Sequence, residues 1–237
     1  MSASIPGLIK RLRGNESPER QKHKETLLDL TAIFLKAALP PQPKSPEAPR
    51  KEDRYSIYLG NMRLGILDSR HLYIRVVNAE GRIECEIHGT QIKINGSSRI
   101  CAVIEPLDHE YFTHLQQDRP TLVWSGDAHE AGHKIRRAAQ MVALINENPL
   151  PYNLVFRNCN TILKSMLKVM DLKSPDPEGW TPGYRQYYGS LVAKVRQDAA
   201  IPADGDHDHA AWLDNFLKEI RRAGETLKER MKDFKFA

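Results

Sequence analysis

Cysteine is the residue type in this sequence with the most direct route to chemistry, and three occur, at positions 85, 101 and 159. Cys159 follows an extended segment, residues 152–156, at the point where a helical pattern begins. Asn158 offers a side-chain oxygen to the free N–H groups of a first turn, so we expect the helix to start at Cys159. The apolar residues of this helix share one face with Cys159: Ile162, Leu163, Met166, Leu167 and Met170.

The start of a helix is a favourable place for a nucleophilic thiol. The positive end of the helix dipole stabilises a thiolate and can lower the pKa of Cys159 below the free value of about 8.5. A small buried apolar residue is the plainer interpretation of a lone cysteine on an apolar face. Position 159 is therefore predicted to be either a nucleophile or part of the core, and a nearby base would favour the first.

Two histidines on neighbouring predicted strands could supply that base. In residues 71–77 the alternation puts His71 on the more polar face, and in residues 82–89 it puts His88 on the polar face with Glu86. A hairpin that turns at residues 78–81 would bring the two faces side by side. Since a nucleophile needs a base and a third group to orient it, Cys159, His71 and His88 can fill the three roles. Taken singly, each histidine is more typical of a satisfied residue at the surface or at a strand edge than of a catalytic base.

A second motif, HEAGH at residues 129–133, competes for a catalytic role. Zinc peptidases have this spacing, with two histidines one helical turn apart binding zinc and the glutamate polarising water. The apolar stripe of the predicted helix runs through Ala131 and Ile135, which puts His129 and His133 on the polar side. Because no convincing third ligand follows, we favour a solvated helix start and keep a zinc site of His129, Glu130 and His133 as the alternative.

The elements around these residues predict an α+β fold. Residues 18–38 form an amphipathic helix that we expect to pack on the main domain, with Leu27, Leu28, Ala32, Ile33 and Leu35 on its apolar side. Residues 39–53 hold five prolines and predict an extended linker. Five strand-like segments follow, with turns at residues 78–81 and 95–98: RYSIYLG, HLYIRVVN, RIECEIHG, TQIKING and SRICAVIE. This order predicts an antiparallel meander.

Further helices complete the predicted chain. They are expected at residues 128–146, from 159 onward, at 183–199 and at 210–237, the last with Trp212, Leu213, Phe216, Leu217 and Ile220 on its apolar side. Residues 200–209, which include the run DGDHDH, predict a polar linker rather than a metal site. The predicted units are thus a helical segment 1–38, a linker 39–53, a main domain 54–199, and a linker with a closing helix 200–237.

Composition argues against several functional classes. The formal charge of +5 is mild and no aromatic–basic motif or zinc finger is present, so we expect no nucleic-acid partner. The scattered cysteines form no CxxC pair, which favours a reducing compartment or free thiols. The N-terminal sequence has only a very short apolar patch and no run approaches membrane-spanning length, so neither a secretory signal nor a transmembrane segment is predicted.

Three segments carry a resemblance to a known family. Residues 151–163, PYNLVFRNCNTIL, resemble the motif YN-x-x-x-x-NC-[NE]-x-[FIL] around the nucleophile of circularly permuted papain-like thiol hydrolases. This branch of the NlpC-type superfamily includes lecithin:retinol acyltransferase-like and PPPDE-type proteins, and its histidine strand precedes its cysteine helix. Residues 71–89 resemble the paired histidine strands, and GWTPG at 179–183 is similar to a segment of bacterial toxin-like members. The resemblance covers residues 54–172 and departs from compact members in a long spacer with an additional helix.

The resemblance implies a papain-like antiparallel sheet packed against the nucleophile helix. It implies that Cys159 is the nucleophile, His71 the general base and acid, and His88 the residue that orients His71. Asn158 or Tyr152 would position the substrate beside backbone N–H groups that stabilise the oxyanion. The implied reaction is cleavage of an amide or peptide bond through a thioester, with no cofactor.

The toxin-like members also imply a biological setting. The protein would be an effector made in the bacterial cytoplasm and exported without a signal peptide by a dedicated secretion system. Its substrate would be a peptidoglycan peptide or a target-cell protein, and its partners a secretion-system component and an immunity or inhibitor protein. Three alternatives stay open: the zinc-dependent peptidase, a non-catalytic interaction module, and a lipid-directed acyltransferase that uses the same residues.

Overall fold

A computed structural model describes residues 18–38, 53–63, 70–106, 120–153, 156–177, 181–200 and 208–231 of this α+β protein. The helices are α1 (Pro18–Ala38), α2 (Ala128–Glu147), α3 (Cys159–Val169), α4 (Gly189–Ala200) and α5 (His209–Met231). The strands are β1 (Arg54–Arg63), β2 (Arg70–Asn78), β3 (Ile83–Ile94), β4 (Ser97–Pro106), β5 (Thr121–Asp127) and β6 (Leu150–Pro151). The Pro-rich linker falls on residues 39–52 and most of DGDHDH on residues 201–207, both outside the described residues.

The strands form one antiparallel sheet of six, in the order β5-β1-β2-β3-β4-β6. Its centre is the predicted meander of β1 to β4. The turn between β2 and β3 has Gly81 at φ +76°, and the turn between β3 and β4 has Asn95 and Gly96 at φ 49° and 75°. Glycine and asparagine adopt this left-handed backbone most readily. The predicted turn at 78–81 is confirmed, and the one predicted at 95–98 is a shorter turn at residues 95–96, because Ser97 and Ser98 already belong to β4.

One strand prediction was wrong, and one strand was missed. The segments RIECEIHG and TQIKING are one strand, β3, because Gly89 is extended and buried within it and marks no turn. Strand β5 was not predicted at all. It lies at the edge of the sheet beside β1, and its exposed residues, such as Leu122, lack the alternation that signals a half-buried strand.

One face of the sheet packs against the helices and forms the core. The buried sheet residues of this core include Ile57, Leu72, Ile74, Ile87 and Ile104. The predicted apolar residues of three helices are buried in this core. They are Ile135, Val142 and Ile145 of α2, then Ile162, Leu163, Met166 and Leu167 of α3, and Trp212, Leu213, Phe216, Leu217 and Ile220 of α5. Each fully buried side chain of this size stabilises the fold by about 1.5–3 kcal/mol.

Helix α1 packs on the same core, as predicted, through Leu27, Leu30 and Leu35. The predicted apolar side was partly wrong, because Ala32 is exposed and Ile33 is 59% exposed. The helix lies along the part of β4 that β6 leaves uncovered, where the Ile104 N–H donates to Thr31 Oγ1 at 3.3 Å. Lys24 Nζ donates to the Gln91 carbonyl at 3.0 Å, so the N-terminal half of α1 reaches the far end of β3.

Candidate thiol site

A split between β2 and β3 defines the candidate site. The last residues that pair across these strands are Tyr73 and His88. Beyond this pair β2 continues along β1 as far as Arg70, whereas β3 continues along β4 as far as Ile94. The two strands therefore separate just where His71 and His88 lie, and their backbone groups need other partners there.

The side chain of Asn160 fills the split from the β2 side. Its Oδ1 accepts from the Leu72 N–H at 3.0 Å, and its Nδ2 donates to the Arg70 carbonyl at 2.9 Å. The side-chain amide of Asn160 thus gives the backbone groups on both sides of His71 the hydrogen bonds that β3 does not provide there. Because Asn160 follows Cys159 in the chain, this contact holds the start of α3 against the His71 end of β2.

Gly89 brings Cys159 equally close to β3. A Cβ atom at position 89 would lie 2.7 Å from Cys159 Cα and 2.8 Å from the Cys159 carbonyl oxygen. Only glycine permits so close an approach of two backbones. Cys159 therefore lies between the His71 end of β2 and the segment of β3 that carries His88 and Gly89.

The residues around Cys159 also fix the turn at 181–185. Asn158 caps α3 as predicted, because its Oδ1 accepts from the Asn160 N–H at 2.9 Å. Its Nδ2 donates to the Pro182 carbonyl at 2.9 Å, and Thr161 Oγ1 donates to the Gly183 carbonyl at 3.0 Å. Gly183, at φ +78°, leaves no room for a Cβ beside Asn158. The side chain of Asn158, a candidate substrate-positioning group, thus has a structural task.

The second candidate for positioning the substrate, Tyr152, lies where β6 leaves β4. Its N–H donates to the Ser98 carbonyl at 3.2 Å, and its half-buried ring packs against the core. Tyr188 is a polar group near Cys159 that sequence reasoning missed. Burial is the main reason that its pKa rises to about 12, and the charge of a Cys159 thiolate would raise it further. Among the described residues its buried hydroxyl has no hydrogen-bond partner.

The two predicted histidines lie side by side and continue into a buried carboxylate. His71 Nε2 is 3.4 Å from His88 Nδ1, and the ring planes are parallel within 4°. His88 Nε2 is 3.1 Å from Glu86 Oε2, and Arg75 Nε lies 2.6 Å from Glu86 Oε1. This row starts at the split and ends inside the protein, where His88 and Glu86 are 1% and 2% exposed.

The thiol and the imidazole are both neutral in this arrangement. Burial raises the pKa of Cys159 to about 11, against the smaller lowering effects of the Lys24 charge and of its own backbone N–H. Burial also lowers the pKa of His71 to about 3, with further lowering by the charges of His88 and Lys24. The predicted lowering of the Cys159 pKa was therefore wrong, because desolvation outweighs the helix start.

No hydrogen bond joins Cys159 Sγ to an imidazole nitrogen in the part of the chain that the structure describes. As whole residues, Cys159 and His71 are nevertheless only partly buried. Cys85 and Cys101, by contrast, are 0% and 2% exposed. Of the three thiols, Cys159 is the least buried, and its backbone lies against Gly89, the residue that follows His88.

The HEAGH motif serves helix packing in this fold. Gly132 lies directly against the His209 carbonyl, and a Cβ at position 132 would be only 2.6 Å from the His209 carbonyl carbon, so α5 begins in contact with α2. As predicted, Ala131 and Ile135 are buried, His129 is exposed and His133 is partly exposed. The rings of His129 and His133 each lie 5.0 Å from that of His209.

Neither a metal-binding cluster nor a membrane-spanning helix occurs among the described residues. No group of three or more His, Cys, Asp or Glu side chains in these ranges is arranged to hold a metal ion. Nor does any described helix combine the length and apolar character needed to cross a membrane. Comparison with protein-family models, with curated proteins and with solved structures gives no match to this chain.

Proposed function

We propose that this protein is a cysteine hydrolase that cleaves an amide or peptide bond through a thioester. Cys159 is the nucleophile, His71 the general base and acid, and His88 the residue that orients His71. One observation carries the proposal: the start of α3 is fixed within the split between the two histidine strands by Asn160 and Gly89. Those contacts bring the backbone of Cys159 to the segments of β2 and β3 that carry the two histidines.

The proposed mechanism uses the His71 ring nitrogen that does not face His88. Because His71 Nε2 faces His88, His71 Nδ1 is the nitrogen left for the thiol. It takes the Cys159 proton as sulfur bonds to the substrate carbonyl carbon, and the carbonyl electron pair moves to oxygen, where N–H groups at the start of α3 donate to it. The C–N bond then breaks and the amine leaves with the proton from His71. Water then attacks the thioester carbonyl carbon and gives a proton to His71. The C–S bond breaks, the carboxylic acid product leaves, and the proton returns from His71 to the Cys159 sulfur.

Because the Cys159 thiol and the His71 imidazole are both neutral, the timing of proton transfer relative to the attack on the carbonyl is fixed. A thiol with a pKa of about 11 beside an imidazole with a pKa of about 3 does not form an ion pair in the resting enzyme. Proton transfer therefore accompanies the attack on the carbonyl rather than preceding it. Entry of a substrate that displaces water strengthens the interactions between charges that develop during this step.

The papain-like permuted architecture and the biological setting belong to the same proposal. The architecture is supported by the motif at residues 152–162 and by the order of histidine strand and cysteine helix, whereas the setting rests on the similarity of residues 179–183 to toxin-like members. By that analogy the substrate is a peptidoglycan peptide or a target-cell protein, and the protein is an exported bacterial effector with an immunity partner.

The direct test is hydrolysis of peptidoglycan stem peptides and of a mixture of unfolded proteins, with new termini detected by mass spectrometry. We expect cleavage by the wild-type protein and a loss of at least about 10³-fold in kcat for Cys159→Ala and His71→Ala. Cys101→Ser, which changes a buried thiol of β4, is the matched control and should retain cleavage. Equal cleavage by Cys159→Ala and the wild-type protein would eliminate the proposal.

A further inference from the structure

We propose that Glu86 is a positioning residue that sets the tautomers of both histidines and thereby leaves His71 Nδ1 free to accept a proton. The consequence for catalysis rests on the proposed function. The tautomers themselves are a property of the folded protein and need no substrate to be measured.

The carboxylate of Glu86 is held inside the sheet, where it accepts hydrogen bonds from two neighbouring side chains. It is 2% exposed, and Arg75 holds one of its oxygens, since both Nε and Nη2 of Arg75 lie 2.6 Å from Oε1. Its other oxygen, Oε2, faces His88 Nε2 at 3.1 Å. Burial opposes ionisation of this carboxyl, but the hydrogen bond from His88 and the charge and hydrogen bond of Arg75 lower the pKa.

The tautomers follow from these partners one step at a time. An ionised carboxylate only accepts hydrogen bonds, so His88 must carry its proton on Nε2. In neutral His88 the Nδ1 atom then has no proton and accepts from His71 Nε2–H across 3.4 Å. His71 in turn has no proton on Nδ1. Glu86 thus sets, through His88, the protonation of the His71 nitrogen that the proposed mechanism uses as the base.

Replacing Glu86 by glutamine should reverse every one of these assignments. Arg75 offers only donors, so the glutamine must turn its oxygen toward Arg75 and its NH₂ group toward His88. His88 Nε2 would then accept, and its proton would move to Nδ1 and be donated to His71 Nε2. The His71 proton would lie on Nδ1, which can no longer take a proton from Cys159. Size and packing barely change.

Glu105 provides a matched control on the next strand. It pairs with Glu86 across β3 and β4, is also 2% exposed, and lies 3.8 Å from His88 Nε2, beyond hydrogen-bond distance. Burial, with a further contribution from the Glu86 charge, holds its pKa well above the usual carboxyl value. Because Glu105 makes no hydrogen bond to His88, Glu105→Gln should leave the histidine tautomers unchanged.

The experiment is ¹⁵N NMR of histidine-labelled protein, with His71 and His88 assigned by single substitution. We expect both rings of the wild-type protein to carry their proton on Nε2, both to switch to Nδ1 in Glu86→Gln, and neither to switch in Glu105→Gln.

With substrate, Glu86→Gln should lose about 10²–10⁴-fold in kcat and little in KM. A wild-type His88 that carries a proton on Nδ1, or a switch in Glu105→Gln, would overturn the proposal. If instead the tautomers are as expected while Cys159→Ala retains full hydrolysis, the proposed function fails and the role of Glu86 stands.

Discussion

At the scale of single residues, the cysteine that solvent can reach is not one that ionises easily. Cys159 is the accessible thiol of the three, yet burial makes it a weak acid, and the same burial makes His71 a weak base. In the proposed mechanism, reactivity depends on the direct transfer of a proton between them. This transfer needs a defined geometry, so the fold should tolerate substitutions here better than the chemistry does.

The low pKa of His71 predicts how stability depends on pH. Between pH 6.5 and about pH 3 the unfolded chain binds a proton at His71 that the folded protein does not bind. The free energy of unfolding should therefore fall as the pH decreases through this window, by at most about 1.4 kcal/mol per pH unit. Urea denaturation of the wild-type protein and His71→Gln at pH 7, 5 and 4 measures the difference. His71→Gln should lose less stability than the wild-type protein, and equal losses would contradict the assignment. His129→Gln, at an exposed position, is the control.

At the scale of elements, the site depends on how closely α3 approaches β3. Gly89→Ala would place a Cβ 2.7 Å from Cys159 Cα, and since backbone cannot yield as a side chain can, the start of α3 must move. We expect a cost of about 1–3 kcal/mol in unfolding free energy and a loss of at least about tenfold in kcat. Gly189→Ala is the matched control, because its Cβ would meet nothing closer than 3.7 Å. Comparable losses in both variants would show that the approach at Gly89 has no special role.

Several elements were predictable from the sequence because their signals are local. The cap at Asn158, the apolar stripes of α2, α3 and α5, and the turns at residues 78–81 and 95–96 depend only on near neighbours. Strand alternation also indicated that His71 and His88 could meet. The fixed position of Cys159 could not be predicted, because it depends on Asn160 and Gly89, residues from α3 and β3 that nothing in the sequence relates to each other. The Cys159 pKa was wrong for the same reason, since burial is a property of the assembled fold.

At the scale of the whole molecule, α5 closes the core by packing on α2 at the HEAGH motif. Gly132→Ala would drive a Cβ into the His209 carbonyl and should separate the two helices. We expect a loss of about 1–3 kcal/mol in unfolding free energy, or about 2–4 °C in Tm for each kcal/mol. His133→Ala, one residue further along α2, should leave hydrolysis unchanged. A rise in Tm with added zinc that His133→Ala abolishes would favour the zinc alternative instead.

The central claim is that Cys159 and His71 act on each other, and site-resolved alkylation measures it most directly. Folded protein is treated with iodoacetamide, and the rate at each cysteine is followed by peptide mass spectrometry from pH 7 to 10. We predict that Cys159 reacts before Cys85 and Cys101, that its rate still rises at pH 10 because its pKa is about 11, and that His71→Ala lowers the rate at pH 7 by about tenfold. Modification of Cys101 first, or a Cys159 rate that is the same in His71→Ala as in the wild-type protein, would contradict the claim.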